Sequence, residues 1–250
     1  MSKAVVYTGA DPTFVEGRWK GEWHGDEDVT DVTVAVAVTG VKNFAFYGCT
    51  GLTNLSFLEG SSITTVKADA YRESGITTLQ GMEGVRKIGD AAFFGCKDLR
   101  TIEGLGCEEM GYSCFASCTL LQSMKGWPAS MTVIPAWCFR DCTGMTTVDC
   151  DISHVTSIGE GAFYNCTSLL PPSLSAAEAD PAAVLAFLKE KSRKERVARR
   201  VETLLCLRDR GFPRIWGEGE EAGAMAWRTS AQRQYRTCED VWSVILKFAF

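Results

Sequence analysis

The chain has 250 residues, of which 46% are hydrophobic and 23% charged, so it is long enough to bury a substantial core as one or two domains. Its formal net charge of -5 argues against a nucleic-acid-binding protein, because such domains usually carry a strong basic excess. No stretch approaches the ~18 apolar residues of a membrane helix, and the start lacks a signal peptide, so we expect a cytoplasmic protein, with the nucleus as the alternative.

Residues 1–28 form a polar lead-in that contains Trp19 and Trp23. Val5 to Tyr7 fits an edge strand, and we interpret the remainder as cap or loop. The segment from Val29 to Val34 has the apolar spacing of a repeat strand, which makes Val29 the expected start of a repeat domain. A terminal repeat has to meet water on its outer side. We therefore expect the Trp-containing lead-in to cover that end.

One pattern of apolar residues and cysteine recurs between residues 29 and 172. In the stretch VRKIGDAAFFGCKDLRT it consists of Ile88, Phe93, Cys96 and Leu99, followed by Ile102. Equivalent patterns begin at Val41, Val66, Ile88, Met110, Ile134 and Ile158. The steps between these starts are 25, 22, 22, 24 and 24 residues, within the period of roughly 20 to 29 that is typical of leucine-rich repeats. The copy at Val66 is one residue shorter, because Ser74-Gly75 replaces the usual Cys-x-x.

Each copy predicts two local structures. The Leu-x-x-Leu segment after the Cys predicts a short strand whose apolar residues point inward and whose polar neighbours point outward. The spacing of Phe three residues before Cys predicts a helical or 3-10 turn that buries both side chains. Gly81, Gly104 and Gly126 predict a bend after the strand. One copy cannot bury its apolar residues alone, so we expect an α/β repeat solenoid with one continuous core.

The copies IGDAAFFGC and IGEGAFYNCTSL resemble the BspA-type leucine-rich repeat, whose pattern is Ile-Gly-x-x-Ala-Phe-x-x-Cys-x-x-Leu-x-x-Ile. The resemblance covers about residues 29–172. It implies a curved solenoid that binds proteins or cell surfaces and has no chemistry of its own. Because the chain lacks a secretory signal, the intracellular versions found in unicellular eukaryotes and algae are the nearer comparison. The Pro that often follows the strand in that family is absent here.

The chain contains 11 cysteines, an odd number that cannot pair completely. Five of them occupy the same repeat position: Cys49, Cys96, Cys118, Cys142 and Cys166. We therefore predict small buried thiols rather than disulfides. Two C-x3-C pairs arise from the repeat period, and a zinc site needs four nitrogen or sulfur ligands, so we expect no metal.

The sequence offers little for catalysis. His24 and His154 are the only histidines, and no nucleophile motif lies beside either. Gly217 to Gly223 is rich in glycine but lacks the Gly-Lys-Ser/Thr end of a phosphate-binding loop and carries three carboxylates. We expect a protein without enzymatic activity and without a cofactor.

Residues 173–250 predict a helical C-terminal region. Asp180-Pro181 is a helix start and Gly211 with Pro213 a stop, and the apolar spacing lapses at 192–194, where we expect an interruption. Residues 189–214 hold ten basic residues against four acidic ones, which we interpret as a solvated helix face rather than a site for nucleic acid or an anionic membrane. Residues 238–248 predict a short helix with a faint resemblance to the first helix of an F-box.

Stacking of repeats aligns the outward strand residues into one extended face. This leads to the hypothesis of a scaffold that binds a protein partner through twelve outward residues. They are Asp31, Thr33, Asn54, Ser56, Thr78, Gln80, Thr101, Glu103, Ser123, Lys125, Thr147 and Asp149. The alternative is an adaptor whose repeats select a target while the C-terminal helices dock to a larger assembly, such as a ubiquitin ligase.

Overall fold

The computed structural model describes residues 3–9, 13–15, 18–20, 23, 25–57, 62–79, 82–176 and 179–209. Only the backbone is described for 13–15, 18–20, 57 and 200–209. The chain divides into two compact units, Met1–Arg199 and Arg200–Phe250.

The described residues contain fifteen strands and two helices. In chain order they are β1 (Lys3–Tyr7), β2 (Thr13–Val15), β3 (Arg18–Lys20), β4 (Val29–Val34), β5 (Gly40–Val41), β6 (Asn54–Phe57), β7 (Thr65–Val66), β8 (Thr78–Leu79), β9 (Lys87–Ile88), β10 (Thr101–Glu103), β11 (Glu109–Met110), β12 (Ser123–Lys125), β13 (Val133–Ile134), β14 (Thr147–Val148), β15 (Ser157–Ile158), α1 (Pro172–Ser175) and α2 (Pro181–Asp209). Apart from the antiparallel hairpin of β2 and β3, the described strands pair in parallel.

Each repeat contributes one strand to each of two ladders. The first ladder follows the Cys of each copy and consists of the sheets β1-β4-β6 and β8-β10-β12-β14. The second ladder, which the sequence did not predict, consists of β5-β7-β9-β11 and β13-β15. Its strands end on the first apolar residue of each copy, so that Val66 lies opposite Ile88. The molecule is a β-solenoid of about six turns, as the repeat period predicted.

The segment between Phe and Cys is a turn, so the prediction of a helical or 3-10 conformation is wrong. Two residues per copy adopt positive φ, as Ala91 (52°) and Gly95 (69°) do on either side of Phe93. This turns the N–H groups toward the next copy, and Phe93 N donates to the carbonyl of Cys114 at 2.9 Å. Ala91 and Gly95 donate in the same way, at 2.9 and 2.8 Å. Hydrogen bonds between copies replace the bonds within a helix, which satisfies the buried backbone.

The aromatic residues of the copies form one buried column. Its members are Trp23, Phe46, Tyr71, Phe93, Phe115, Phe139 and Phe163. Successive ring centroids lie 5.2 to 5.7 Å apart, with interplanar angles of at most 20°. Stacked rings at this distance interact favourably beyond the burial of their surface. The column supplies the continuous core that no single copy contains.

Trp23 shows that an atypical copy precedes the first regular one. Gly25 lies two residues after it, has φ 70° and donates its N–H to Tyr47 at 2.7 Å, which is the turn geometry of the later copies. Val29 and Val32 follow at the usual spacing and are buried, while Asp26 stands at the Cys position. Trp23 stacks on Phe46, so this residue of the lead-in packs against the first regular copy.

The repeated cysteines are buried, unpaired thiols, as predicted for the described part of the chain. Each thiol donates to the carbonyl of the aromatic residue one copy earlier; Cys118 donates to Phe93 at 3.3 Å and Cys142 to Phe115 at 3.2 Å. In the shortened copy the hydroxyl of Ser74 replaces the thiol and contacts Cys96 Sγ at 3.4 Å. The Cys position therefore selects a small hydrogen-bond donor that fits the core.

The glycine of the Ile-Gly pairs is required by close packing between copies. A Cβ atom on Gly89 would lie 2.5 Å from the backbone nitrogen of Ala68 in the preceding copy. Gly111 and Gly159 approach the preceding copy in the same way. Side chains at these positions would push neighbouring copies apart. The bends at Gly104 and Gly126 are confirmed by their φ values of 64° and 107°.

The helices cover the last copy. Ser175 in α1 accepts the N–H of Asn165 at 2.8 Å, a bond that the next copy would otherwise make. Asp180 caps α2, and its side chain accepts the N–H of Ala182 at 3.1 Å. The predicted interruption is wrong, because α2 runs continuously from Pro181 to Asp209. Ser192 is 1% exposed, and its hydroxyl donates to Cys150 O at 2.6 Å.

Candidate protein-binding surface

The outward residues of the first ladder form a row, which we call the first row. At its start Asp31 lies opposite Asn54, and the amide of Asn54 donates to the carboxylate at 2.7 Å. Hydrogen bonds from Thr30 and Asn54 hold the pKa of Asp31 below its usual value. Thr33 and Ser56 share a hydrogen bond of 3.1 Å. The structure thus brings the first four predicted residues together on neighbouring strands.

The middle of the first row is a ladder of hydroxyl groups. Thr78, Thr101, Ser123 and Thr147 lie opposite one another in register. Ser123 is only 9% exposed, so it contributes less surface than its neighbours. Beside this ladder, Lys125 and Glu103 form an ion pair of 2.8 Å, while Gln80 lies outside the described residues. The ten other predicted residues of the row are half-buried or exposed.

The far end of the first row contacts helix α2. Arg199 forms an ion pair with Asp149, the last predicted residue, and Arg196 forms one with Asp151 at 2.6 Å. Hydrogen bonds from Ser153 and then from Arg196 lower the pKa of Asp151 to about 2. Asp149 is therefore engaged within the chain. The first row that remains for a partner runs from Asp31 to Lys125.

The side chains of the basic segment, residues 189–214, are described only as far as Arg199. Within that part Arg193 and Lys194 contact Glu190, and Lys191 contacts Glu195. With the pairs of Arg196 and Arg199, five basic side chains of this part of the helix contact four carboxylates, because Arg193 and Lys194 share Glu190. The pairs within the helix support the interpretation of a solvated face, whereas Arg196 and Arg199 contact the repeats. The predictions for residues 217–223 and 238–248 lie outside the described residues.

The second ladder carries an exposed row that the sequence reasoning missed. Its centre is charged, with ion pairs between Lys87 and Glu109 and, at 3.8 Å, between Arg86 and Glu108. The available signal was the polar residue before each repeat start, which we did not assign to a strand. Because each basic residue here faces an acidic one on the next copy, this second row is electrostatically balanced.

A third surface lies on the turns, at the residue that follows each column aromatic. Arg72 stacks on the ring of Phe94, 4.4 Å from its centroid, and contacts Tyr47 at 5.7 Å. Arg140 similarly lies 5.7 Å from the ring of Tyr164. Cation–π contacts of this kind brace adjacent turns. The signal in the sequence was the recurrence of Tyr, Arg or Phe directly after the column aromatic.

The described residues contain little that supports catalysis. They include no group of three or more His, Cys, Asp or Glu side chains that could hold a metal ion. Burial raises the pKa of the Cys96 and Cys166 thiols to about 12, which keeps them protonated and unreactive. His154 bonds the carbonyl of Pro128 at 3.1 Å, a structural contact between copies. None of the helices described is long and apolar enough to cross a membrane.

Two parallel ladders around one apolar core, with polar rows outside, define a repeat solenoid of the leucine-rich-repeat class. The family model described as "BspA type Leucine rich repeat region" matches residues 23–125 and 64–173 in six copies. The chain belongs to this family, as the resemblance predicted. Proteins with leucine-rich repeats generally mediate protein–protein interactions.

The fold is similar to that of solved bacterial proteins. A leucine-rich repeat protein of T. pallidum has a TM-score of 0.57 and 19% identity, over 68% of this chain and 79% of that chain. A leucine-rich repeat protein of Bacteroides ovatus has a TM-score of 0.45 and 19% identity, over 65% of this chain and 49% of that chain. No curated protein matches the sequence significantly. The likeness to the T. pallidum protein shows the fold alone.

Proposed function

We propose that the protein is a non-enzymatic scaffold that binds a protein partner through the first row, from Asp31 to Lys125. The observation that carries the proposal is the register of β8, β10 and β12, which aligns hydroxyl-bearing residues on successive strands. Short hydroxyl and amide side chains supply adaptable hydrogen bonds. The first row combines hydroxyl, amide and charged side chains, whereas the centre of the second row consists of ion pairs.

The scaffold is favoured over the adaptor because the described part of the C-terminal region is used to complete the solenoid. Val184, Leu185 and Leu188 of α2 are buried in the core cluster. Ser192 and Arg196 bind the last copies. These residues are unavailable to a larger assembly while α2 is docked.

Affinity purification with the full chain, followed by mass spectrometry, tests the scaffold. The triple variant Ser56→Arg, Thr78→Arg, Thr101→Arg places bulky charges along the first row, and we expect it to lose the partner. The matched control places three arginines on the second ladder, at Thr65, Val133 and Ser157, and should retain it. A partner that binds the first-row variant as well as the unaltered chain refutes the proposal. A truncation ending at Asp209 keeps the docked part of α2 in place. Loss of a partner from this truncation, but not from the triple variant, would favour the adaptor.

We further propose a cytoplasmic location, with the nucleus as the alternative. The nine free, buried cysteines of the described residues support a reducing compartment. Imaging of the tagged full chain in its own cells tests the proposal. Export of the protein from the cell would contradict it.

A further inference from the structure

The first ladder ends in a strand with an open edge. β1 is bonded to β4 on one side and has no strand on its other side among the described residues. Lys3, Ala4 and Val6 are exposed, and Val6 has 56% of its surface open. The other end of the solenoid is covered by α1 and α2. An open edge of this kind is a template for another strand.

The backbone of β1 defines what the edge can bind. The carbonyl of Tyr7 accepts the N–H of Ala35 at 3.1 Å, which fixes the side on which β1 meets β4. Both backbone groups of a strand residue point to the same side, and successive residues alternate. Val5 and Tyr7 therefore face β4. Ala4 and Val6 direct their N–H and C=O groups outward, which leaves two donors and two acceptors at the edge.

We propose that β1 pairs antiparallel with β1 of a second copy of this chain, around a twofold axis at Val5. This arrangement places Ala4 of each copy opposite Val6 of the other. Residues whose outward groups face each other in an antiparallel pair exchange both hydrogen bonds. Two such pairs use all four outward groups of each strand. The sheet β6-β4-β1 then continues into its symmetric counterpart.

The side chains make β1 complementary to itself. Ala4 and Val6 lie opposite Asp31 and Thr33 in register, so they extend the first row with apolar residues. The twofold axis brings Val6 beside Ala4 of the second copy, and contact between the two removes apolar surface from water. Lys3 is the one charged residue of β1, and its ammonium binds Asp26 at 2.9 Å. An isologous pair therefore forms without an uncompensated charge.

The pairing has a consequence for the scaffold, although it does not depend on the proposed function. It joins the first rows of two copies into one surface with twofold symmetry. A partner with two equivalent binding segments would then gain avidity, because the second contact becomes intramolecular.

Sedimentation velocity of the full chain over a range of concentrations tests the pairing. We expect the mass to rise toward twice the 27.3 kDa of the single chain. Val6→Pro removes an outward donor without removing a bond to β4, which is the position where an edge strand tolerates Pro. It should weaken dimerisation at least about tenfold. Val6→Lys should act in the same direction, whereas the matched Val133→Lys, at another exposed strand valine, should leave the mass unchanged.

Hydrogen exchange provides a second measurement. The amides of Ala4 and Val6 should exchange more slowly at concentrations where the mass doubles, and Val6→Lys should abolish this protection. A chain that stays monomeric up to about 100 μM overturns the proposal. A dimer whose dissociation constant is unchanged by both Val6 variants also overturns the proposal, because such a dimer must form through a surface other than β1.

Discussion

Replacing Phe115 by Ala measures how much the aromatic column contributes to stability. The ring is fully buried and stacks on Phe93 at 5.3 Å and on Phe139 at 5.7 Å. An aromatic side chain buries about 150 to 250 Å². At ~25 cal/mol per Å², that area corresponds to about 4 to 6 kcal/mol. Buried Phe→Ala substitutions typically lower the free energy of unfolding by about 3 to 5 kcal/mol. We expect Phe115→Ala to lower the free energy of unfolding by about 4 kcal/mol, which is a large part of the stability of an ordinary domain.

Equilibrium unfolding in urea, followed by circular dichroism, gives the free energy of unfolding. Phe115→Leu should fall between the unaltered chain and Phe115→Ala, because it keeps most of the volume and loses the stacking. Tyr112→Ala is the control, since Tyr112 is 57% exposed and its removal should change the free energy by less than about 1 kcal/mol. A Phe115→Ala value below about 2 kcal/mol, or one equal to that of Tyr112→Ala, would refute the role of the column.

Four further changes probe other parts of the core. Tyr71→Phe should raise the free energy of unfolding by about 1 kcal/mol, because the buried Tyr71 hydroxyl has no hydrogen-bond partner among the described residues. A lower urea midpoint would disprove this. Gly89→Ala should lower the free energy of unfolding by about 2 kcal/mol or more, because the added methyl group forces neighbouring copies apart. Lys67→Ala, at the equivalent position of the preceding copy, should lower it by less than about 0.5 kcal/mol. Equal decreases would contradict the packing argument. A thiol reagent at about pH 8 should leave Cys96 unmodified in the native chain, since its pKa of about 12 keeps it protonated, and should modify it after unfolding. Asp151 has a pKa of about 2 in the folded chain, below its unfolded value, so its stabilising effect is present above about pH 4 and is lost toward pH 2. The difference in free energy of unfolding between the unaltered chain and Asp151→Asn should therefore shrink from pH 4 to pH 2.

The repeated pattern predicted the core because burial depends on side-chain type and spacing. Phe93, Cys96 and Leu99 are all fully buried, as the stacking of copies requires. The turn was mispredicted because the three-residue spacing of Phe93 and Cys96 also fits a turn with left-handed residues. Ala91 shows the difficulty, since a residue with ordinary helix preference adopts φ 52° when its N–H bonds the next copy. That choice depends on Tyr112, 21 residues away in the next copy, and cannot be inferred from one copy alone.

The first row was predictable, but its limits were not. Strand alternation correctly assigned Thr101 and Lys125 to one face. The engagement of Asp149 by Arg199 depends on how α2 docks, which the local sequence does not encode. The atypical copy at Trp23 had a detectable signal, because Val29 and Val32 follow it at the usual spacing. The copy does not match the repeat pattern because Asp26 occupies the Cys position.

The direction of the turn hydrogen bonds makes the solenoid extensible. Every turn donates its N–H groups forward to the next copy, and Ser175 accepts the last of these bonds from Asn165. The terminal helices contact only the last copies, so these contacts do not depend on the number of copies that precede them. A duplicated copy inserted between residues 110 and 134 would meet the same backbone partners on both sides. The length of the surface can thus change by gain or loss of whole copies while both caps stay the same.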